Sequence, residues 1–138
     1  MSKTIQTFPL LKYALIGDAV ASGGTGLLMV AGAGFLSGML GLPVLLLSYA
    51  GAFLLPYAAV VAFVGTREPI RPRAVWPIII LNILWVADSF ALLISQTPSP
   101  TLPGVVFVIF QATVVLAFAI AQIIGLRQLK GGTKIMPA

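Results

Sequence analysis

The chain has 138 residues, of which 59% are hydrophobic and only 8% charged. A soluble domain carries roughly 25% charged residues, so this chain has too few to cover a water-facing surface, and its mean hydropathy of +1.10 agrees. It has no cysteine and no histidine, which removes disulfides, thiol redox chemistry, haem ligation by either residue and the usual zinc sites. No metal or cofactor is expected. The net charge of +5 does not point to nucleic acid, because the basic residues gather at the ends of apolar stretches, where charge reports membrane topology.

A spanning helix needs about 20 mostly apolar residues, and four stretches qualify: about 10–34, 43–64, 75–95 and 103–126. The fold expected is an all-α polytopic membrane protein, a bundle of four transmembrane helices forming a single domain over 1–138. The first span is too long for a signal peptide and contains Asp18, so it reads as a retained helix. "LGLP" puts Pro43 at the start of the second span, where its missing N–H costs nothing. "TREPIRPR" separates spans two and three. "QTPSPTLP" separates spans three and four, with Thr101 a plausible helix cap. The tail "LKGGTKIMPA" is short and Gly-bearing and is expected to fray.

Charge sets the orientation. Lys3 and Lys12 precede span one, Arg67, Arg71 and Arg73 lie between spans two and three, and Arg127, Lys130 and Lys134 follow span four. All eight basic residues fall on one side of a four-span chain, so the positive-inside rule places both termini and the middle loop in the cytoplasm. Tyr13 and Trp76 sit near span ends on that side, as interfacial anchors do.

The polar residues inside the spans are the candidate site. Glu68 lies in the Arg-rich loop and is expected to pair with its neighbours there. Asp18 and Asp88 lie within spans, where a charge costs about 2.5–3.5 kcal/mol on insertion scales, so both should face protein or a cavity. At a rise of about 1.5 Å per residue, Asp18, Asn82 and Tyr57 are each ~10–12 Å from the cytoplasmic side and form one expected inner layer. By the same count Asp88 and Gln111 are each ~12 Å from the outer side, with Tyr49 a little shallower, and form an expected outer layer. Helical phase adds detail: Asp18, Ser22 and Thr25 share a stripe, Gln111 and Gln122 share a face, and Asp88 is turned about 120° from Asn82. Amides and hydroxyls between membrane helices also serve simply as glue, at about 0.6 kcal/mol per contact. Both readings stand for Asp18, Asn82, Asp88 and Gln111.

Small residues suggest close helix packing: Ala19-xxx-Gly23, Ser22-xxx-Gly26 and Gly34-xxx-Gly38 have the spacing that lets backbones approach. Pro56 removes a hydrogen bond from span two and frees the carbonyl of Ala52. "GGTG" is helix packing rather than a phosphate loop, since no strand precedes it.

The runs "GDAVASGGTGLLM", "LGLP", "NILWVADSFALLIS" and "GLRQ" resemble those of small four-helix membrane proteins of bacteria, which implies the bacterial inner membrane and no particular activity. A looser likeness is to the small multidrug resistance family, whose short four-helix chains carry a substrate- and proton-binding acid in the first helix. Asp18 occupies that sort of place. This chain departs from that family in having Asp for Glu, in Asp88, in its greater length and in a charge bias that excludes dual topology.

Two functional readings follow. The sequence favours a structural or accessory bundle that packs with itself or with a larger membrane complex in the lipid bilayer. The alternative is a small proton- or cation-coupled transporter or channel using Asp18 or Asp88. A third reading, an enzyme acting on lipid, is not expected, because the sequence has no nucleophile paired with a His, no metal-ligand spacing and no phosphate loop. Access of water to either carboxylate distinguishes the first two.

Overall fold

The computed structural model describes residues 9–95 and 99–135, with side chains placed from 10 to 128 within those limits. The described residues form helices α1 (Pro9–Ala31), α2 (Ala33–Leu40), α3 (Val44–Thr66), α4 (Pro72–Ser95) and α5 (Leu102–Ile135), and include no strand. Four of them, over Leu10–Ala31, Val44–Thr66, Pro72–Ser95 and Leu102–Gln128, are long and apolar enough to cross a membrane. Their outward surface is apolar, with Val20, Leu27, Phe35, Leu45, Ile94 and Phe110 all more than half exposed. Such a surface suits lipid rather than water. The chain is a small multi-pass membrane protein.

The first expected span is two helices. The apolar run 10–34 has no polar break, but the helix stops at Ala31 and restarts as α2. At eight residues α2 rises about 12 Å, too short to cross a bilayer. It ends at Gly41, whose φ of +69° is left-handed and whose N–H returns to the Ser37 carbonyl. That backbone conformation favours glycine. A side chain there would also press on the backbone of Thr101, since an added Cβ would lie 2.8 Å from its nitrogen. Thr101 caps α5 as expected: the Gly104 N–H donates to its Oγ1 at 3.2 Å. Its hydroxyl and its N–H in turn donate to the carbonyls of Met39 and Leu40, tying the start of α5 to the end of α2.

At the opposite end Lys12 pairs with Glu68 at 3.4 Å, both substantially exposed. Glu68 was expected to pair with its neighbours in the loop; instead the arch between α3 and α4 leans over the start of α1. A pair so exposed contributes about 0–1 kcal/mol. Arg67 lies over the ring of Phe63. With Arg71, Arg73 and Arg127 this makes a basic end, and the α2–α5 junction marks the other. The positions of Lys3 and of the side chains of Lys130 and Lys134 lie outside the described residues, as do 96–98 of the Pro-rich loop. In the tail, which was expected to fray, α5 continues as helix through Gly131 and Gly132 to Ile135, and 136–138 lie outside the described residues.

Helix α1 is the hub. It packs along α3 on one side and α5 on the other; α5 also packs on α4, whereas α3 and α4 scarcely approach. The α1–α3 pairing depends on glycine: a Cβ on Gly26 would lie 2.9 Å from the Gly51 carbonyl oxygen, and one on Gly51 would lie 2.9 Å from the Gly26 oxygen. Ser22-xxx-Gly26 therefore marks a true helix contact. Gly34-xxx-Gly38 does not, because both glycines of α2 face open space. Helix α3 runs through Pro56, and α4 through Pro77.

Candidate functional site: a buried carboxylate beneath two cavities

One turn separates Asp18 from Ser22 on α1, so both point to the same side, and the Ser22 hydroxyl donates to Asp18 Oδ1 at 3.0 Å. The other oxygen, Oδ2, receives three further groups from three other helices. Asn82 Nδ2 of α4 donates at 2.9 Å, Gln122 Nε2 of α5 at 2.9 Å, and the Tyr57 hydroxyl of α3 stands at 3.0 Å. Asn82 Nδ2 also reaches Gln122 Oε1 at 3.1 Å. Asp18 and Gln122 are 1% and 0% exposed, so the four long helices meet in one buried polar knot.

Removing a carboxylate from water costs several kcal/mol unless partners replace the lost hydrogen bonds. Here neutral dipoles replace them; all four are potential donors, and hydrogen bonds to a charged group contribute about 1.5–3 kcal/mol each. Among the described residues no cationic side chain takes part. Among the described residues no buried side-chain nitrogen or oxygen lacks a partner.

Tyr57 has one proton and two acceptors. Its hydroxyl is 3.0 Å from Asp18 Oδ2 and 2.6 Å from Asn82 Oδ1. With Asp18 ionised, Tyr57 can donate to the carboxylate. With a proton on Asp18 Oδ2, the carboxyl can donate to Tyr57, and Tyr57 turns its own proton to Asn82. Two acceptor oxygens do not rest at 2.6 Å without a hydrogen between them, so Tyr57 must draw back from Asn82 Oδ1 when it turns its proton to Asp18.

The knot is the floor of an inner cavity of about 140 Å³, walled by Phe53, Trp85 and Phe118 among others. A larger cavity of about 500 Å³ lies toward the α2–α5 end. Thr25, Trp85 and Gln111 line both, so they form the partition. The partition is itself bonded: the Trp85 indole N–H donates to Gln111 Oε1, and Gln111 Nε2 donates to Ser89 Oγ at 3.0 Å and to the Val108 carbonyl at 2.9 Å. Phe53 stacks between Tyr57 and Trp85, with ring centres 6.0 and 6.3 Å away. That stack bridges the otherwise open seam between α3 and α4.

Of the four residues singled out from sequence, Asp18 and Asn82 are brought into direct contact. Gln111 is elsewhere, in the partition. Asp88 does not bond Gln111; both line the outer cavity, but Gln111 is engaged by Trp85 and Ser89. Asp88 is exposed and has no hydrogen-bond partner among the described residues. The expected outer layer of Asp88, Gln111 and Tyr49 therefore does not form, and Tyr49 points outward at 71% exposure. The phase argument that turned Asp88 away from Asn82 agrees with this geometry.

Sequence reasoning left Gln122 outside the inner layer and passed over Trp85. The signal for Trp85 was available: it lies three residues after Asn82, and an indole N–H inside a membrane must find an acceptor. Around Asp18 the side chains offer oxygens and amides only, and no group of three acids among the described residues could hold a metal ion. Compared with known proteins, the chain matches no family model, no curated protein and no solved structure.

Proposed function

We propose that this membrane protein is a small proton-handling transporter or channel of the bacterial inner membrane, with Asp18 as the proton site and Tyr57 as its relay. The observation that supports the reading is the pair of adjoining cavities that ends on Asp18. A purely structural polar knot needs no such approach. A proton suits the site better than a metal cation, because the amide nitrogens of Asn82 and Gln122 face the carboxylate. The reading calls for proton exchange and no bond-making chemistry, so it does not include an enzyme. The basic end lies in the cytoplasm by the positive-inside rule, and the cavities then face outward.

A second reading, an accessory bundle packed with itself or a larger complex, is favoured by one observation: the buried polar side-chain atoms of the described residues are satisfied within the chain. Proton flux separates the two. In liposomes holding a pH dye, an imposed membrane potential should drive acidification or alkalinisation above that of protein-free vesicles. Asp18→Asn should abolish it. Tyr57→Phe, which keeps the stacked ring, should slow it about a hundredfold or more, as for loss of a positioned proton carrier. Flux no greater than in empty vesicles, or equal flux in Asp18→Asn, would leave the accessory bundle as the better account.

A further inference from the structure

Beyond Asn82 the outer half of α4 is barely enclosed. Only Ser89 is buried there, because α4 packs along α5 and scarcely approaches α3. Leu84, Asp88 and Ala91 lie on one stripe of the helix, and all three are exposed. Counted back from Ser95, Asp88 sits about 10 Å below the outer end of α4. It has no hydrogen-bond partner among the described residues, in contrast to the four groups arrayed around Asp18. It is also the one charged residue on the wall of the outer cavity. A carboxylate at this depth in a bilayer is costly unless another group pairs with it.

From the unpaired Asp88 on this open face, we propose that α4 docks a transmembrane helix of a different membrane protein, one that carries a lysine or arginine about 10 Å below the outer surface. The partner's charged side chain meets Asp88 at the seam between α3 and α4, where the outer cavity of about 500 Å³ has room for it. Ala87 and Ala91, exposed beside Asp88, let a second backbone come close. Charge decides the partner. In low-dielectric surroundings opposite charges attract strongly, and once paired neither faces lipid alone. A second copy of this chain cannot supply the cation. By their places in the sequence all eight basic residues fall at the opposite end of the spans, so a copy inserted the same way up brings none to this level. A lipid headgroup stays at the interface above Asp88, and an acyl chain leaves the carboxylate unpaired. The inference is carried by Asp88 and stands independently of proton flux through Asp18.

The chain offers its own reporter. Trp76 and Trp85 are its two tryptophans, so Trp76→Phe leaves Trp85, one turn from Asp88, as the single fluorescence donor. The probe is a synthetic helix of about 21 leucines and alanines. It carries one lysine about seven residues from one end, a depth of ~10 Å, and a dansyl acceptor at that end. In phosphatidylcholine vesicles holding the full chain, energy transfer from Trp85 to this peptide should saturate. The same peptide with norleucine for lysine should give only the transfer of random encounter. Asp88→Asn should weaken association about tenfold or more, the loss expected when a partly desolvated charge partner is removed, and Asp88→Glu should keep most of it. Asp88→Lys should lose the lysine peptide and gain a glutamate-bearing one, which separates charge pairing from local damage. Equal association of the norleucine peptide, or undiminished association in Asp88→Asn, would show a face that takes any apolar chain, and the inference would fall. Transfer between labelled copies of the protein that is lost in Asp88→Asn would give the face to a second copy and overturn it as well. No saturable transfer to the lysine peptide would sink the docking site outright. The readout is binding, so failure here is distinct from absence of Asp18-dependent flux.

Discussion

The side-chain amide of Asn82 donates to Oδ2 of Asp18 at 2.9 Å, across 64 positions of sequence. The same nitrogen is 3.1 Å from Gln122 Oε1, so a single amide joins α1, α4 and α5. Energetically, the polar centre is a shared property of the bundle.

Asn82→Leu tests that sharing. The substitution removes a donor from Asp18, deprives Gln122 Oε1 of its partner and leaves Tyr57 with one acceptor fewer. The expected cost is about 2–4 kcal/mol, the scale for leaving buried polar groups unsatisfied. Unfolding in rising mole fractions of a denaturing detergent measures it. A loss below about 0.6 kcal/mol, the worth of one ordinary interhelical contact, would show that the knot is not an energetic unit.

The α1–α3 contact gives a steric prediction. Gly51→Val places a branched side chain where an added Cβ already lies 2.9 Å from the Gly26 oxygen and from Met29 Cβ. Backbone atoms cannot yield as a side-chain tip can, so the expected loss is about 1–3 kcal/mol. Gly34→Val, on an open face of α2, should leave detergent stability within about 0.5 kcal/mol, as surface changes do. Equal stability of the two variants would contradict the close crossing at Gly51.

Orientation can be read from cysteines, since the chain has none of its own. Arg71→Cys at the basic end should resist a membrane-impermeant maleimide in intact cells. Ser99→Cys near the α2–α5 end should react. The reversed pattern would invert the bundle and turn the cavities toward the cytoplasm.

Depth along a membrane helix is legible in sequence because rise per residue is nearly constant and the spans alternate in direction. That arithmetic placed Asp18, Asn82 and Tyr57 at one level, where they meet. It missed Gln122 for a physical reason. Counted from Arg127, Gln122 lies only about 7.5 Å in, but α5 runs on to Ile135, so the end of the apolar stretch is not the end of the helix. Level alone also fails to choose partners. Asp88 and Gln111 share a depth, yet Gln111 is claimed by the indole of Trp85. Small-residue spacing has the same weakness: it marks a smooth surface on α2 as readily as on α1, and only Gly26 finds a facing backbone. The break at Gly32 leaves no polar trace in the sequence.

The carboxylate of Asp18 draws its donors from both halves of the polypeptide: Ser22 and Tyr57 come before the arginine-rich arch, Asn82 and Gln122 after it. Synthesis proceeds from the N-terminus. Helices α1 to α3 therefore enter the bilayer while Asp18 holds half its donors, and insertion is finished for this residue only when the last helix arrives. A chain that ends before α4 would leave the Asp18 carboxyl with Ser22 and Tyr57 alone.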